Sequence, residues 1–123
     1  MAKRILLVED EAKAAQSLQQ QLQATGYEVT LAADGMNAWQ HAQRQPPDLA
    51  VVDLMMPDMD GWRLIQRFKA DERLKGVPVI VLSALVDVEG PPRGVEQGNY
   101  FLMKPVRFEV LHQTIEELLC GTP

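Results

Sequence analysis

The sequence contains few cysteine and histidine residues, and this excludes some kinds of site. Its single cysteine, Cys120, cannot form an internal disulfide or a cysteine-based metal cluster. The two histidines, His41 and His112, fall on predicted helices without neighbouring ligands, so we interpret both as surface residues. A disulfide framework and a zinc-finger type of fold are therefore excluded.

Long apolar runs and clustered positive charge are also missing. The run from Ile5 to Val8 is too short for a signal peptide and is followed by three acids, and no later run is long enough to span a membrane. A formal net charge of −5 argues against a nucleic-acid surface. With 46% hydrophobic and 24% charged residues, the 123-residue chain is typical of one globular domain, 1–123. We expect it to be cytoplasmic.

Short apolar segments alternate with amphipathic segments along the chain. This alternation, with continuously apolar central strands, predicts an α/β fold in which helices cover both faces of a five-stranded parallel sheet. The flavodoxin-like, doubly wound strand order 2-1-3-4-5 is the commonest at this size. The predicted strands are 4–8, 27–32, 48–53, 77–84 and 100–104, and the predicted helices are 11–25, 34–45, 61–72 and 106–119.

Polar residues follow the ends of four predicted strands, at the sheet edge where doubly wound folds bind ligands. These residues are Glu9, Asp10 and Glu11 after strand one, Asp53 at the end of strand three, Ser83 on strand four and Lys104 on strand five. Asp53 directly follows the apolar run from Leu49 to Val52. Because burying a lone carboxylate is unfavourable, this position calls for a compensating group.

Glu9, Asp10 and Asp53 would repel one another if all three were ionised in close proximity. Either one pKa rises or a cation holds the charges together. The nearby ligands are oxygen atoms, which indicates Mg²⁺, and Mn²⁺ would also fit. Lys104 adds a positive charge suited to a phosphoryl oxygen or to Asp53. A purely structural ion network is the alternative interpretation of the same residues.

Four segments, ILLVEDE, VVDLMMPDMDG, VIVLSA and MKP, give the sequence a family resemblance. In this order and spacing the chain resembles, over its whole length, the receiver domain of two-component response regulators, the CheY-like family. The resemblance implies that Asp53 accepts a phosphoryl group from a histidine kinase or a phosphotransfer protein. It also implies that Glu9, Asp10, Asp53 and the main-chain carbonyl of Met55 organise the magnesium.

The resemblance further implies a switch that carries the signal away from Asp53. Ser83 and Lys104 would contact the phosphoryl group, and an aromatic residue on strand five would then turn inward. Counting back from Lys104 gives Phe101 as this residue, with Tyr100 as the second choice. The surface formed by helix four, strand five and helix five would change for partner binding.

The segment between Ser83 and Lys104 departs from the family pattern. Gly90, Pro91 and Pro92 would break a helix that begins at Asp87. We therefore expect the fourth helix to be short or irregular, displaced, or restarted over 93–97.

The leading interpretation is a phosphoacceptor switch that is not an enzyme beyond intrinsic self-phosphorylation and self-dephosphorylation. Its partners would be the phosphodonor and either a downstream protein or a fused output domain, and a phosphorylation-dependent homodimer stays open. The alternative is a degenerate receiver that acts as a constitutive interaction module. A phosphatase of the haloacid dehalogenase type is disfavoured, because Met55 stands where that class has a second acid.

Overall fold

The computed structural model of the chain describes residues 2–53, 60–83, 94–96, 99–103 and 107–120. Within these ranges, no helix is both long enough and apolar enough to cross a membrane. The five predicted strands and the four predicted helices are all present, with one additional short strand. In chain order the elements are β1 Arg4–Val8, α1 Ala12–Ala24, β2 Glu28–Ala32, α2 Gly35–Arg44, β3 Leu49–Asp53, α3 Asp60–Ala70, β4 Val79–Ser83, β5 Gly94–Glu96, β6 Asn99–Met103 and α4 Phe108–Cys120.

The strands form a single sheet in the order β2-β1-β3-β4-β6-β5. The pairs β1–β2, β1–β3, β3–β4 and β4–β6 are parallel, and β5 pairs antiparallel with β6. The doubly wound order 2-1-3-4-5 is therefore confirmed for the parallel strands, of which β6 is the fifth. The chain crosses from β2 over β1 to β3, so the direction of winding changes between β1 and β3.

The additional strand β5 corrects the prediction that a helix restarts over 93–97. Residues Gly94–Glu96 are extended, and Val95 pairs with Tyr100 of β6. Glycine and β-branched valine are poor helix formers, whereas the free edge of β6 offers hydrogen-bonding groups to an extended segment. The remaining part of the predicted fourth-helix region, 84–93, lies outside the described residues.

Two apolar layers enclose the sheet, because alternate residues of a strand point to opposite faces. Leu6 and Val8 of β1 belong to the layer under α2 and α3, whereas Ile5 and Leu7 belong to the layer under α1 and α4. All of β3 is buried. The helices contribute Ala38, Ala42, Leu64 and Phe68 to the first layer and Leu22, Leu111 and Ile115 to the second.

α1 ends close to the predicted boundary at residue 25, and Gly26 turns the chain out of the helix. Its φ of 104° is left-handed, a conformation that glycine adopts without a steric penalty. The N–H of Gly26 donates to the carbonyl of Gln23 at 3.0 Å, and the N–H of Tyr27 donates to Leu22 at 3.4 Å. This pair of bonds closes the helix and turns the chain into β2.

Candidate functional site

Three carboxyl groups meet at the carboxyl ends of the two central strands. Val8 at the end of β1 pairs with Val52 of β3, so the residues that follow in each segment are neighbours. Glu9, Asp10 and Asp53 each place a carboxylate oxygen within 4.8 Å of the others. The predicted convergence of these acids is therefore confirmed, and it occurs where the winding of the sheet changes direction.

The three acids differ in their exposure to water. Asp53 is 1% exposed and Glu9 is 8% exposed, and they are the buried charged residues in the described part of the chain. Asp10 is exposed. Because a buried ionised carboxylate loses hydration, Asp53 and Glu9 depend on their surroundings for compensation, while Asp10 opens the cluster to solvent.

Main-chain hydrogen bonds hold the segment after β1 in place. The N–H of Glu9 donates to the carbonyl of Ala32 at 3.0 Å, which extends the pairing of β1 with β2. The carboxylate of Glu9 accepts from the N–H of Glu11 at 3.3 Å. The first bond holds the main chain of Glu9 beside β2, and the second orients its carboxylate toward the start of α1.

Glu11 has a different role from the two acids that precede it, and the sequence pattern does not reveal this role. Its carboxylate accepts from the N–H of Ala14 at 2.9 Å and caps the N-terminus of α1. Asp34 caps α2 in the same way, accepting from the N–H of Asn37 at 2.8 Å. Serine, threonine, aspartate and asparagine are the usual residues at this position, so a glutamate there carries little signal.

The donor set fits a hard divalent cation. The three converging ligand atoms are carboxylate oxygens, which Mg²⁺ and Mn²⁺ prefer over nitrogen or sulfur. A cation among them would also remove their mutual repulsion. The cluster can therefore hold a metal ion close to Asp53, with Asp10 on the solvent side.

The other predicted site residues are described in part or lie outside the description. The main chain of Ser83 ends β4, where it pairs with Met103, and Phe101 pairs with Val81 of the same strand. The side chains of Ser83 and Phe101 are not among those that the structure describes. Met55 and Lys104 lie outside the described residues.

The two histidines occupy less open positions than the sequence indicates, and both are partly buried. His112 stacks on Phe108, with ring centroids 5.5 Å apart, and its Nε2 lies 3.3 Å from a carboxylate oxygen of Glu116. His41 lines a cavity near the start of β1. The cavity beside His41 is formed partly by residues that are distant in the sequence. The contacts named here for His112 lie within its own helix.

The fold and the acidic cluster define a class of protein: a doubly wound α/β domain with a buried aspartate at the end of its third strand, beside two further acids. The sequence model of the response regulator receiver domain matches residues 5–116. The chain belongs to this family, whose members are regulatory phosphoacceptor domains of two-component signalling and not classical enzymes.

Among curated proteins, the chain is 34% identical over 117 residues to the transcriptional regulatory protein CusR of Escherichia coli, covering 94% of this chain and 51% of CusR. It is 33% identical over 120 residues to the DNA-binding regulator RpaA of Synechocystis, covering 97% and 50%. The chain therefore spans about half the length of these relatives.

Among solved structures, the receiver domain of a histidine kinase from Syntrophus aciditrophicus is similar, with a TM-score of 0.85 and 35% identity. That match covers 98% of this chain and 92% of the other. The chemotaxis response regulator CheY4 of Vibrio cholerae gives a TM-score of 0.85 at 30% identity, covering 97% of this chain and 100% of the other.

Proposed function

We propose that the chain is a magnesium-dependent phosphoacceptor switch in which Asp53 receives the phosphoryl group. The observation that carries this proposal is the cluster of Glu9, Asp10 and Asp53, with carboxylate oxygens within 4.8 Å of one another at the switch in winding. If the buried acid had only a structural role, apolar residues in its place would stabilise the fold equally well. The presence of Asp53 in a fully buried strand therefore favours a chemical role over a structural one.

Asp53 is the nucleophile in this proposal. One of its carboxylate oxygens attacks the phosphorus of a phosphohistidine, the P–N bond breaks with its electron pair passing to the histidine nitrogen, and an acyl phosphate forms. Burial in β3 holds the Asp53 carboxylate in one orientation, because neighbouring side chains of a packed strand leave few rotamers. Exposed Asp10 lies on the side from which a phosphodonor reaches the cluster.

Mg²⁺, or Mn²⁺ in its place, would be held by Glu9, Asp10, Asp53 and the main-chain carbonyl of Met55. When bound, it neutralises charge that develops on the transferring phosphoryl oxygens. Glu9 is oriented for this role by the N–H of Glu11, 3.3 Å from its carboxylate.

Ser83 and Lys104 are proposed to contact the phosphoryl group, and Phe101 to transmit the change. The strand order supports this assignment, because Asp53 pairs with Leu82 and Leu82 pairs with Leu102. Ser83 follows this row on β4, and Lys104 is the next residue in the sequence after β6 ends at Met103. Phosphorylation adds about −1.5 to −2 charge at this edge, and it would alter the surface formed by the region 84–93, β6 and α4.

The proposed phosphodonor is a histidine kinase or a phosphotransfer protein, and residues 1–123 are proposed to form one receiver domain in the cytoplasm. The output is a downstream protein or a fused domain. CusR and RpaA are named as transcriptional regulators, and the chain matches about half of each. DNA binding would belong to such a fused domain and not to the acidic receiver, and a phosphorylation-dependent homodimer is compatible with either output.

Incubation with acetyl phosphate and MgCl₂, followed by intact mass spectrometry, tests the proposal. We expect the mass to rise by one phosphoryl group, and we expect no rise with EDTA or in the Asp53→Asn variant. Asp48→Asn is the matched control, because Asp48 precedes the same strand and its Oδ2 accepts from the N–H of Arg4 at 2.8 Å, which an amide oxygen can also do.

Labelling of the Asp53→Asn variant at the level of the unchanged protein would assign the nucleophile elsewhere. Failure of the unchanged, folded protein to label from acetyl phosphate, and also to bind beryllofluoride, would favour the constitutive interaction module instead.

A further inference from the structure

A cavity of about 160 Å³ lies between the start of β1, the edge strand β2 and the C-terminal half of α2. Arg4, His41 and Arg44 line it, together with the polar side chains of Thr30 and Gln45. Arg4 begins β1, whereas Glu9 and Asp10 follow the end of that strand. The cavity is therefore at the opposite end of β1 from the acidic cluster.

The lining of this cavity is cationic in a chain whose formal net charge is −5. Two guanidinium groups and an imidazole contribute to it, and none of the lining residues is acidic. Two acids lie beside Arg4 without lining the cavity: a carboxylate oxygen of Glu28 is 3.9 Å from Arg4 Nε on the open surface, and Asp48 accepts from the main-chain N–H of Arg4 at 2.8 Å. An anion in the cavity can accept hydrogen bonds from the guanidinium N–H groups of this lining.

The polarity of α2 accounts for only part of this arrangement. Cations near a helix C-terminus are favoured by the helix dipole, and His41 and Arg44 lie in the last turn of α2. Arg4 belongs to β1 and approaches the cavity from the sheet, so its presence does not follow from the helix. The convergence of the two arginines is a property of the tertiary fold.

We propose that this cavity binds a small organic anion, a carboxylate or a phosphate monoester. Arginine side chains present paired N–H donors that match the oxygens of both groups. Leu6, Ala42 and Pro47 also line the cavity and offer an apolar surface for a short hydrocarbon part of the ligand. The site is distinct from the phosphoacceptor cluster, because the two share no residue.

The test is a titration of the full chain with inorganic phosphate, acetate and butyrate at constant ionic strength, in EDTA, followed by amide NMR shifts. The Asp53→Asn background keeps the phosphoacceptor aspartate from taking part. We expect saturable shifts at the amides of Arg4, Thr30 and Gln45, with butyrate binding more tightly than acetate. A preference for phosphate or for the carboxylates identifies the anionic group of the ligand.

Arg44→Gln is expected to weaken binding by about tenfold or more, because it removes charge-assisted hydrogen bonds. Arg63→Gln is the matched control: Arg63 is exposed on α3 and is not among the residues that line the cavity, so binding should be unchanged. Absence of saturable shifts, shifts confined to the carboxyl end of the sheet, or equal binding in the Arg44→Gln variant would overturn the proposal. Equal affinity for acetate and butyrate would overturn the apolar part of it.

Discussion

The two ends of the parallel sheet differ in charge: acids alone cluster at the carboxyl end, whereas arginines line a cavity at the amino end with Glu28 and Asp48 beside Arg4. At the carboxyl end, Glu9, Asp10 and Asp53 bring three carboxylates within 4.8 Å of one another. At the amino end, Arg4 and Arg44 bring two guanidinium groups to one cavity. The same strand, β1, connects the two regions, and Arg4 and Glu9 lie just at its start and just beyond its end.

Part of this polarity follows from the direction of the helices. In a parallel α/β fold, helix N-termini lie at the carboxyl ends of the strands, and they favour acids. Glu11 and Asp34 meet this preference as N-caps, whereas Arg67 and Lys69 occupy the last turn of α3 at the other end. Each of these charged residues interacts favourably with the dipole of the helix at whose end it lies.

The three clustered acids go beyond what the helices explain. None of Glu9, Asp10 and Asp53 is the N-cap residue of α1 or α2, which are Glu11 and Asp34. Two of the three are buried. Acids that cap a helix N-terminus can be purely structural, because the helix dipole stabilises them. Buried acids of like charge that cap no helix indicate instead that a ligand binds there.

The largest expected effect is on metal affinity. Asp10→Asn removes one charged ligand from the cluster, and we expect the dissociation constant for Mg²⁺ to rise on the order of 10- to 100-fold. Titration calorimetry measures this change. Glu11→Gln is the control one residue further along, because Glu11 caps α1 and is not one of the clustered acids. An equal loss of affinity in both variants would mean that overall charge, and not coordination, determines binding.

The next effect is on stability without metal. Two unit charges 4.8 Å apart repel by roughly 3 kcal/mol at an effective dielectric constant of about 20. In EDTA we therefore expect Asp53→Asn to raise the free energy of unfolding by about 1–3 kcal/mol, measured by urea denaturation. Arg44→Gln, at the amino end, should change it by less than about 0.5 kcal/mol, because Arg44 is exposed. A destabilised Asp53→Asn variant would show that the carboxylates are already compensated within the fold.

The smallest expected effect is a loss of stability at the carboxyl end of the sheet, where Asp53→Asn is expected to give a gain. Asp34→Ala removes the hydrogen bond from the N–H of Asn37, at 2.8 Å, and we expect a loss of about 1 kcal/mol of stability. Asp34→Asn retains an acceptor oxygen and should restore most of the loss. Thermal unfolding followed by circular dichroism measures both variants. If Asp34→Ala were as stable as the unchanged protein, the N-cap acids would not contribute to stability, and the contrast between them and the clustered acids would be lost.

Sequence reasoning was most successful where the signal is local. The amphipathic segment predicted as a helix over 11–25 forms α1 Ala12–Ala24, since amphipathic spacing depends on neighbouring residues. One of the three alternatives for the fourth helix, a restart over 93–97, was wrong, because Gly94–Glu96 form β5 instead. The reason is that β6 supplies the pairing edge for β5, and no pattern within 93–97 reports that edge.

The sequence by itself determined which segments form the five parallel strands and the four described helices, and that acids follow the ends of the first and third strands, because spacing and burial patterns are properties of consecutive residues. Only the tertiary structure decided that these acids lie within 4.8 Å of one another and that Arg4 and Arg44 line one cavity. The physical reason is chain crossing. Residues that are 40 or more positions apart become neighbours only when the order of the strands brings their segments together.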